Sequence, residues 1–154
     1  LGRQPHTNWV GSLSSNDKAA VEEAIKLVKI DDIVSKKCNE LSDGQLQKVM
    51  LARALAQDTN IIILDEPTTH LDLYHKVYIL KLLQRLSKET HKTILFSSHE
   101  INVALKLCDV MIVMEKNQTH FGAPKDLIKQ QAFDGLFPKD LLTFNNETGD
   151  FEIV

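Results

Sequence analysis

Asp65 and Glu66 stand side by side after the unbroken apolar run Ile61-Ile62-Ile63-Leu64. An apolar strand ending in two acids projects carboxylates where a ligand can reach them. One carboxylate can hold a hydrated Mg²⁺, a hard ion that prefers oxygen. The next can polarise an attacking water. The plainer alternative is an Asp-Glu-Pro turn after a core strand. A second chemical feature is Leu41-Ser42-Asp43-Gly44-Gln45. Ser42 and Gln45 have the spacing of a capping box. The N–H groups exposed in the first helical turn, with the helix dipole, suit an anion. Gly44 would let a phosphate approach the backbone, whereas Asp43 suits an anion less well. The alternative is a helix cap with no ligand. A third feature is His99, after the apolar run Thr93 to Phe96. It could donate to a phosphate oxygen or position a water. A structural or surface histidine is the alternative.

These groups need elements to carry them. Ser14 and Ser15 offer caps to a helix over about Asn16 to Lys29, with Ala20, Val21, Ala24, Ile25 and Val28 at helical spacing. A short helical piece is predicted near Asp31 to Lys36. A second helix runs from Gln45 to Gln57. The run Ile61 to Leu64 does not alternate, which predicts a strand covered on both faces, as in a parallel sheet. A helix from Leu73 to Ser87 follows, with the stripe Val77, Leu80 and Leu83. Thr93 to Phe96 is a second strand, and Glu100 to Cys108 a helix burying Ile101, Ala104, Leu105 and Cys108. Val110 to Met114 and Thr119 to Phe121 are strands about a turn at Lys116-Asn117. Pro124 opens a last helix, Ala123 to Gln131. This alternation is that of a layered α/β domain, where ligands sit at the carboxyl ends of strands.

Composition bounds the answer. The chain has 154 residues, 43% hydrophobic and 25% charged, enough for a real core and unlike a disordered or fibrous chain. Its apolar runs stop at about five residues, against the roughly twenty that span a bilayer. Lys and Arg total 18 and Asp and Glu 21, a net charge of −3. That balance argues against a nucleic-acid partner. Cys38 and Cys108 lack metal or redox spacing and read as buried thiols in a reducing compartment. Trp9 reads as a packing residue, Tyr74 and Tyr78 as the rim of a helix. His70 and His75 alone do not make a zinc site. Phe133, Phe137, Phe144 and Phe151 read as packing for a C-terminal extension, or as a contact surface. No secretory signal opens the chain, and the start at Leu1-Gly2-Arg3, without Met, suggests a fragment.

Taken together, these motifs resemble those of the ATP-binding-cassette (ABC) ATPases. Leu41-Ser42-Asp43-Gly44-Gln45 resembles the family signature Leu-Ser-Gly-Gly-Gln, with Asp43 as the departure. Ile61 to Glu66 resembles the Walker B strand with its catalytic glutamate. Thr69-His70-Leu71-Asp72 resembles the D-loop, and His99 in Ser97-Ser98-His99-Glu100 the switch histidine, although Asp is commoner after it. The resemblance covers about Leu1 to Gln131. Leu1 to His6, Ala52 to Gln57 and His99 to Asp109 are similar to importers of iron-siderophores, haem and vitamin B12.

The resemblance implies a P-loop NTPase-like fold, with ATP as substrate and Mg²⁺ as cofactor. Asp65 would bind Mg²⁺ through water, Glu66 would be the general base, and His99 would contact the γ-phosphate. Ser42, Gly44 and Gln45 would contact ATP held by a second, identical subunit, and Asp72 would couple the two sites. Transmembrane permease subunits would be further partners, at the cytoplasmic face of the inner membrane. Expected divisions are 1–58, a helical subdomain; 59–131, the C-terminal part of the core; and 132–154, an extension. The sequence holds no Gly-Lys pair, so the Walker A phosphate loop is absent and the chain reads as the C-terminal part of a subunit, inactive alone. The strands 61–64 and 93–96 would then lack some of their cover. The alternatives are a ribosome-associated ABC protein and a non-catalytic interaction module.

Overall fold

The computed structural model describes residues 2–7, 11–138 and 140–154. The readings of Leu1 and Trp9 lie outside the described residues. The chain forms two compact units, Leu1–Ser98 and His99–Val154. The divisions expected after residues 58 and 131 fall inside these units.

The first helix of the first unit, α1 (Ser15–Val28), begins at a reciprocal cap. The Ser14 hydroxyl accepts the Asp17 N–H at 3.2 Å, and the Asp17 carboxylate accepts the Ser14 N–H at 2.9 Å. Asp17 is itself buried, against the usual exposure of a first-turn acid. Its partner explains the burial: Arg3 Nε donates to Asp17 Oδ1 at 2.8 Å. Arg3 Nη1 also donates to the Ala56 carbonyl at 3.2 Å, and His6 Nε2 donates to the Gln57 carbonyl at 2.7 Å. Residues 2–6 thus strap the start of α1 to the end of α2 (Asp43–Leu55). Gly2 sits where a methyl group would lie 2.7 Å from the Arg53 carbonyl oxygen, so no larger residue fits without movement. Ala24 and Val28 of α1, and Leu51, Ala52 and Leu55 of α2, are buried as their helices pack together.

β1 (Ile61–Leu64) and β2 (Thr93–Phe96) pair in parallel, Ile61 opposite Thr93 and Leu64 opposite Phe96. α3 (Leu73–Thr90) crosses between them and buries Ile79, Leu80, Leu82, Leu83 and Leu86. It runs a turn beyond the Ser87 expected from the sequence. The Thr90 hydroxyl donates to the Leu86 carbonyl, the Ser87 hydroxyl reaches the Lys92 carbonyl, and left-handed His91 then ends the helix. The unbroken strand run predicts cover on both faces, and here the structure differs. Ile62 is buried, but Ile61 and Ile63 are 58% and 73% exposed, and Leu95 is 47% exposed. Strand side chains alternate between faces, so the described residues of the chain cover only one face of this pair.

The second unit holds α4 (Ile101–Leu107), the antiparallel hairpin β3 (Met111–Met114) and β4 (Thr119–Gly122), α5 (Pro124–Lys129), and a second hairpin, β5 (Leu142–Asn145) and β6 (Asp150–Ile153). Val113, Leu127, Ala132, Phe133 and Phe144 form its core. Phe133 stacks on Phe144 with centroids 4.8 Å apart, and Phe151 meets both Phe144 and Phe137 edge-on at 5.0 Å. The late phenylalanines therefore pack this unit, and Phe137 keeps 40% of its surface exposed. The reading of both cysteines as buried thiols is corrected. Cys38 is exposed because it lies on a one-turn 3-10 helix, Cys38–Glu40, that buries none of its residues. Cys108 is half-buried, and burial, with the Asp109 charge, raises its thiol.

Asp17 carries a pH signature. Hydrogen bonds from Ser14, then from Arg3, lower its carboxyl from 3.8 to about 2. A carboxyl depressed in the folded state stabilises fully above its unfolded value and loses that contribution as pH falls through its folded value. Melting temperatures of wild type and Asp17→Asn should therefore differ most above pH 3.8 and converge towards about pH 2. A gap that stays constant across this window would contradict the assignment.

Candidate functional site

The parallel register brings the ends of β1 and β2 level. Asp65 and Glu66 follow Leu64, and Ser97 follows Phe96, its N–H donating to the Leu64 carbonyl at 3.1 Å. The Ser97 hydroxyl then joins both acids. It donates to Asp65 Oδ1 at 2.7 Å and accepts the Glu66 N–H at 2.8 Å. Glu66 has φ +42, a left-handed conformation that costs a non-glycine residue of order 1–3 kcal/mol. The turn holds it there. Pro67 follows, the Thr69 N–H donates to the Glu66 carbonyl at 3.1 Å, and the Thr69 hydroxyl donates to Glu66 Oε2 at 2.7 Å. Both acids of the pair are thus oriented by hydroxyl donors rather than left to swing.

A cavity of ≈ 300 Å³ lies beside Asp65, walled by Gln47, Met50, Arg53 and Gln57 of the α2 side and by Ile63, Leu64 and Pro67. Among the described residues, no group of three His, Cys, Asp or Glu could hold a metal ion. Mg²⁺ keeps several waters and needs only one or two carboxylates with substrate phosphates. Asp65, whose Oδ1 accepts from the Ser97 hydroxyl, is an oxygen donor of the type such an ion would use.

Ser42 caps α2 as its spacing predicts. Its hydroxyl accepts the Gln45 N–H at 3.4 Å, and Gln45 Oε1 accepts the Ser42 N–H at 3.2 Å. Asp43 is exposed in the first turn, where the helix dipole favours an acid. Gly44 lies against the start of α3, where a methyl group would sit 3.0 Å from His75 Cδ2. Asp72 caps α3 by accepting the His75 N–H at 2.9 Å, and its other oxygen accepts from His75 Nδ1 at 2.8 Å. These bonds hold the Asp72 carboxyl below its ordinary range, the backbone donor first and the ring second. The structure therefore assembles two groupings: Asp65, Glu66 and Ser97, and Ser42, Gly44, Gln45 and Asp72 about His75. His99 begins the second unit and lines a shallow cavity of ≈ 170 Å³ with Asn102, Phe137 and Phe151.

Sequence reasoning missed Ser97 and His75. Ser97 lies 31 and 32 positions from its partners, and only the strand register reveals it. His75 had one local signal: it stands three residues after the capping Asp72, within reach of that carboxylate.

Known proteins resemble this chain in sequence and in fold. The family profile described as ABC transporter matches residues 3–69. The achromobactin transport ATP-binding protein CbrD of Dickeya dadantii (strain 3937) is 38% identical over 142 residues, 91% of this chain and 52% of that protein. The iron(3+)-hydroxamate import ATP-binding protein FhuC of Bacillus subtilis (strain 168) is 41% identical over 115 residues, 75% of this chain and 43% of that protein. The chain spans about half the length of the curated relatives it matches. A solved ABC transporter of metal-chelate type, in an inward-facing conformation, superposes with a TM-score of 0.82 at 26% identity, covering 99% of this chain and 62% of that one. The layered fold with its capped helix and acid-tipped strand is thus that of the P-loop ABC ATPases, and the chain belongs to the ABC transporter ATP-binding family.

Proposed function

We propose that this chain carries the hydrolytic acids and the partner-facing signature of an ATPase whose turnover drives import of a metal chelate. The observation that supports this best is the acid pair oriented by Ser97 at the carboxyl end of a parallel strand. Glu66 takes the proton of the attacking water through its carboxylate, which Thr69 orients. Asp65 would hold Mg²⁺ through water, and the bound ion supplies charge neutralisation at the phosphates. His99 donates to the γ-phosphate. Ser42, Gly44 and Gln45 present the α2 N-terminus to the γ-phosphate of ATP on a second, identical subunit, where N–H groups and dipole favour an anion. Asp72 couples the two sites.

In this reading, residues 1–58 form the helical subdomain, 59–131 the core part and 132–154 the extension. The cargo is an iron chelate, haem or cobalamin, and the names of the relatives support the chelate class. The subunit works with transmembrane permeases, peripherally, at the cytoplasmic face of the inner membrane. No helix of the described residues is long and apolar enough to cross a membrane itself.

Three outcomes test the reading. The chain of 154 residues should show no micromolar ATP binding by calorimetry with Mg²⁺, since it holds no Gly-Lys pair and its acids repel phosphate. In the gene product that joins this chain to a phosphate loop, Glu66→Gln should abolish turnover while ATP still binds and the ATP-bound dimer accumulates. Hydrolysis near the parental rate would remove Glu66 from the role of base. In the same protein, Ser97→Ala should lower kcat about tenfold, because misplaced catalytic groups lose rate steeply. Nucleotide affinity measured by equilibrium dialysis should change little, and an unchanged kcat would count against the bridging role.

A further inference from the structure

We infer that His75 is a positioning residue that fixes the distance between the Asp72 carboxylate and the Ser42–Gln45 turn. The inference rests on the proposed reading of those two motifs as the partner-facing groups.

The geometry is that of a bridge. An ionised carboxylate only accepts hydrogen bonds, so the 2.8 Å contact places the proton on His75 Nδ1. That bond orients the ring plane, and the 2.9 Å cap from the His75 N–H fixes the backbone below it. The opposite edge of the imidazole meets Gly44, where a methyl group would lie 3.0 Å from Cδ2 and 3.6 Å from Nε2. Glycine at position 44 therefore lets the ring seat against the signature turn. Tyr74 meets His75 edge-on, with centroids 5.3 Å apart. One turn further along both helices, Lys48 Nζ stands 4.4 Å from the centre of the Tyr78 ring, a second tie between α2 and α3. A hydrogen bond on one edge and van der Waals contact on the other make the imidazole a spacer between two loops. Each loop is also set by its own helix cap.

A spacer predicts a pattern that simple destabilisation does not. Asn can offer its side-chain N–H near the position of Nδ1, whereas Ala cannot. In the gene product carrying the phosphate loop, His75→Ala should lower kcat about tenfold or more, since small displacements of reacting groups cost that much. KM for ATP and the melting temperature should stay near wild type, and His75→Asn should recover most of the loss. Asp72→Ala combined with His75→Ala should cost no more than Asp72→Ala alone. An independent readout needs no turnover. In the ¹⁵N spectrum of the 154-residue chain, Asp72→Asn should shift the Gly44 amide, and that shift should vanish in a His75→Ala background. If His75→Asn fails as fully as His75→Ala, or the two losses add, or the Gly44 shift persists without the imidazole, the inference is overturned. If the wild-type gene product hydrolyses no ATP, the proposed function fails, and the Gly44 amide still decides the role of His75.

Discussion

One serine hydroxyl ties together the carboxyl end of the parallel pair. Ser97 donates to Asp65 and accepts from the Glu66 backbone, and it can do so only while Leu64 stands opposite Phe96. A slip of one residue would turn the side chains of either strand to the opposite face and part these groups. α3 holds the register by burying five side chains between the strands in sequence. The core of the first unit and the geometry of its acids are therefore one constraint seen from two ends.

The two helix caps show how local rules carry functional groups. Ser42 and Asp72 each satisfy N–H groups that a helix start leaves without partners. Their motifs would cap helices with no ligand at all. Left-handed Glu66 is the opposite case. No local preference favours it, so the turn through Pro67 and Thr69 imposes it. Strain of this kind, held by surrounding hydrogen bonds, clusters at working sites.

Much of this was legible in the residues. The caps at Ser14 and Ser42, the strands 61–64 and 93–96, and the turn before Thr119 follow from spacing and composition. Features made by contacts distant in sequence were not legible. Ser97 reads as an ordinary polar residue until the strands are paired. Burial of Asp17 depends on Arg3, 14 positions away. The hairpin of β5 and β6 lies in a stretch with no readable motif. It closes on Asn145, whose side-chain oxygen accepts from Glu147 and Thr148, and on Gly149 at φ +71. The exposure of Ile61 and Ile63 was not legible in the strand run itself, which says how much apolar surface exists; it was expected only through the family resemblance, which implies a core larger than these residues supply.

The crossing of α3 also sets an order of events. A parallel pair cannot close as a hairpin does, because the whole helix must pass before the second strand meets the first. The loop entropy of that excursion is lost before any strand hydrogen bond forms. α3 can gain helical structure on its own timescale, but the hydroxyl bridge at Ser97 must wait for both strands. The acid pair thus matures late in folding, after the scaffold beneath it. A nascent chain released at residue 90 would hold Asp65 and Glu66 and yet lack the group that aims them.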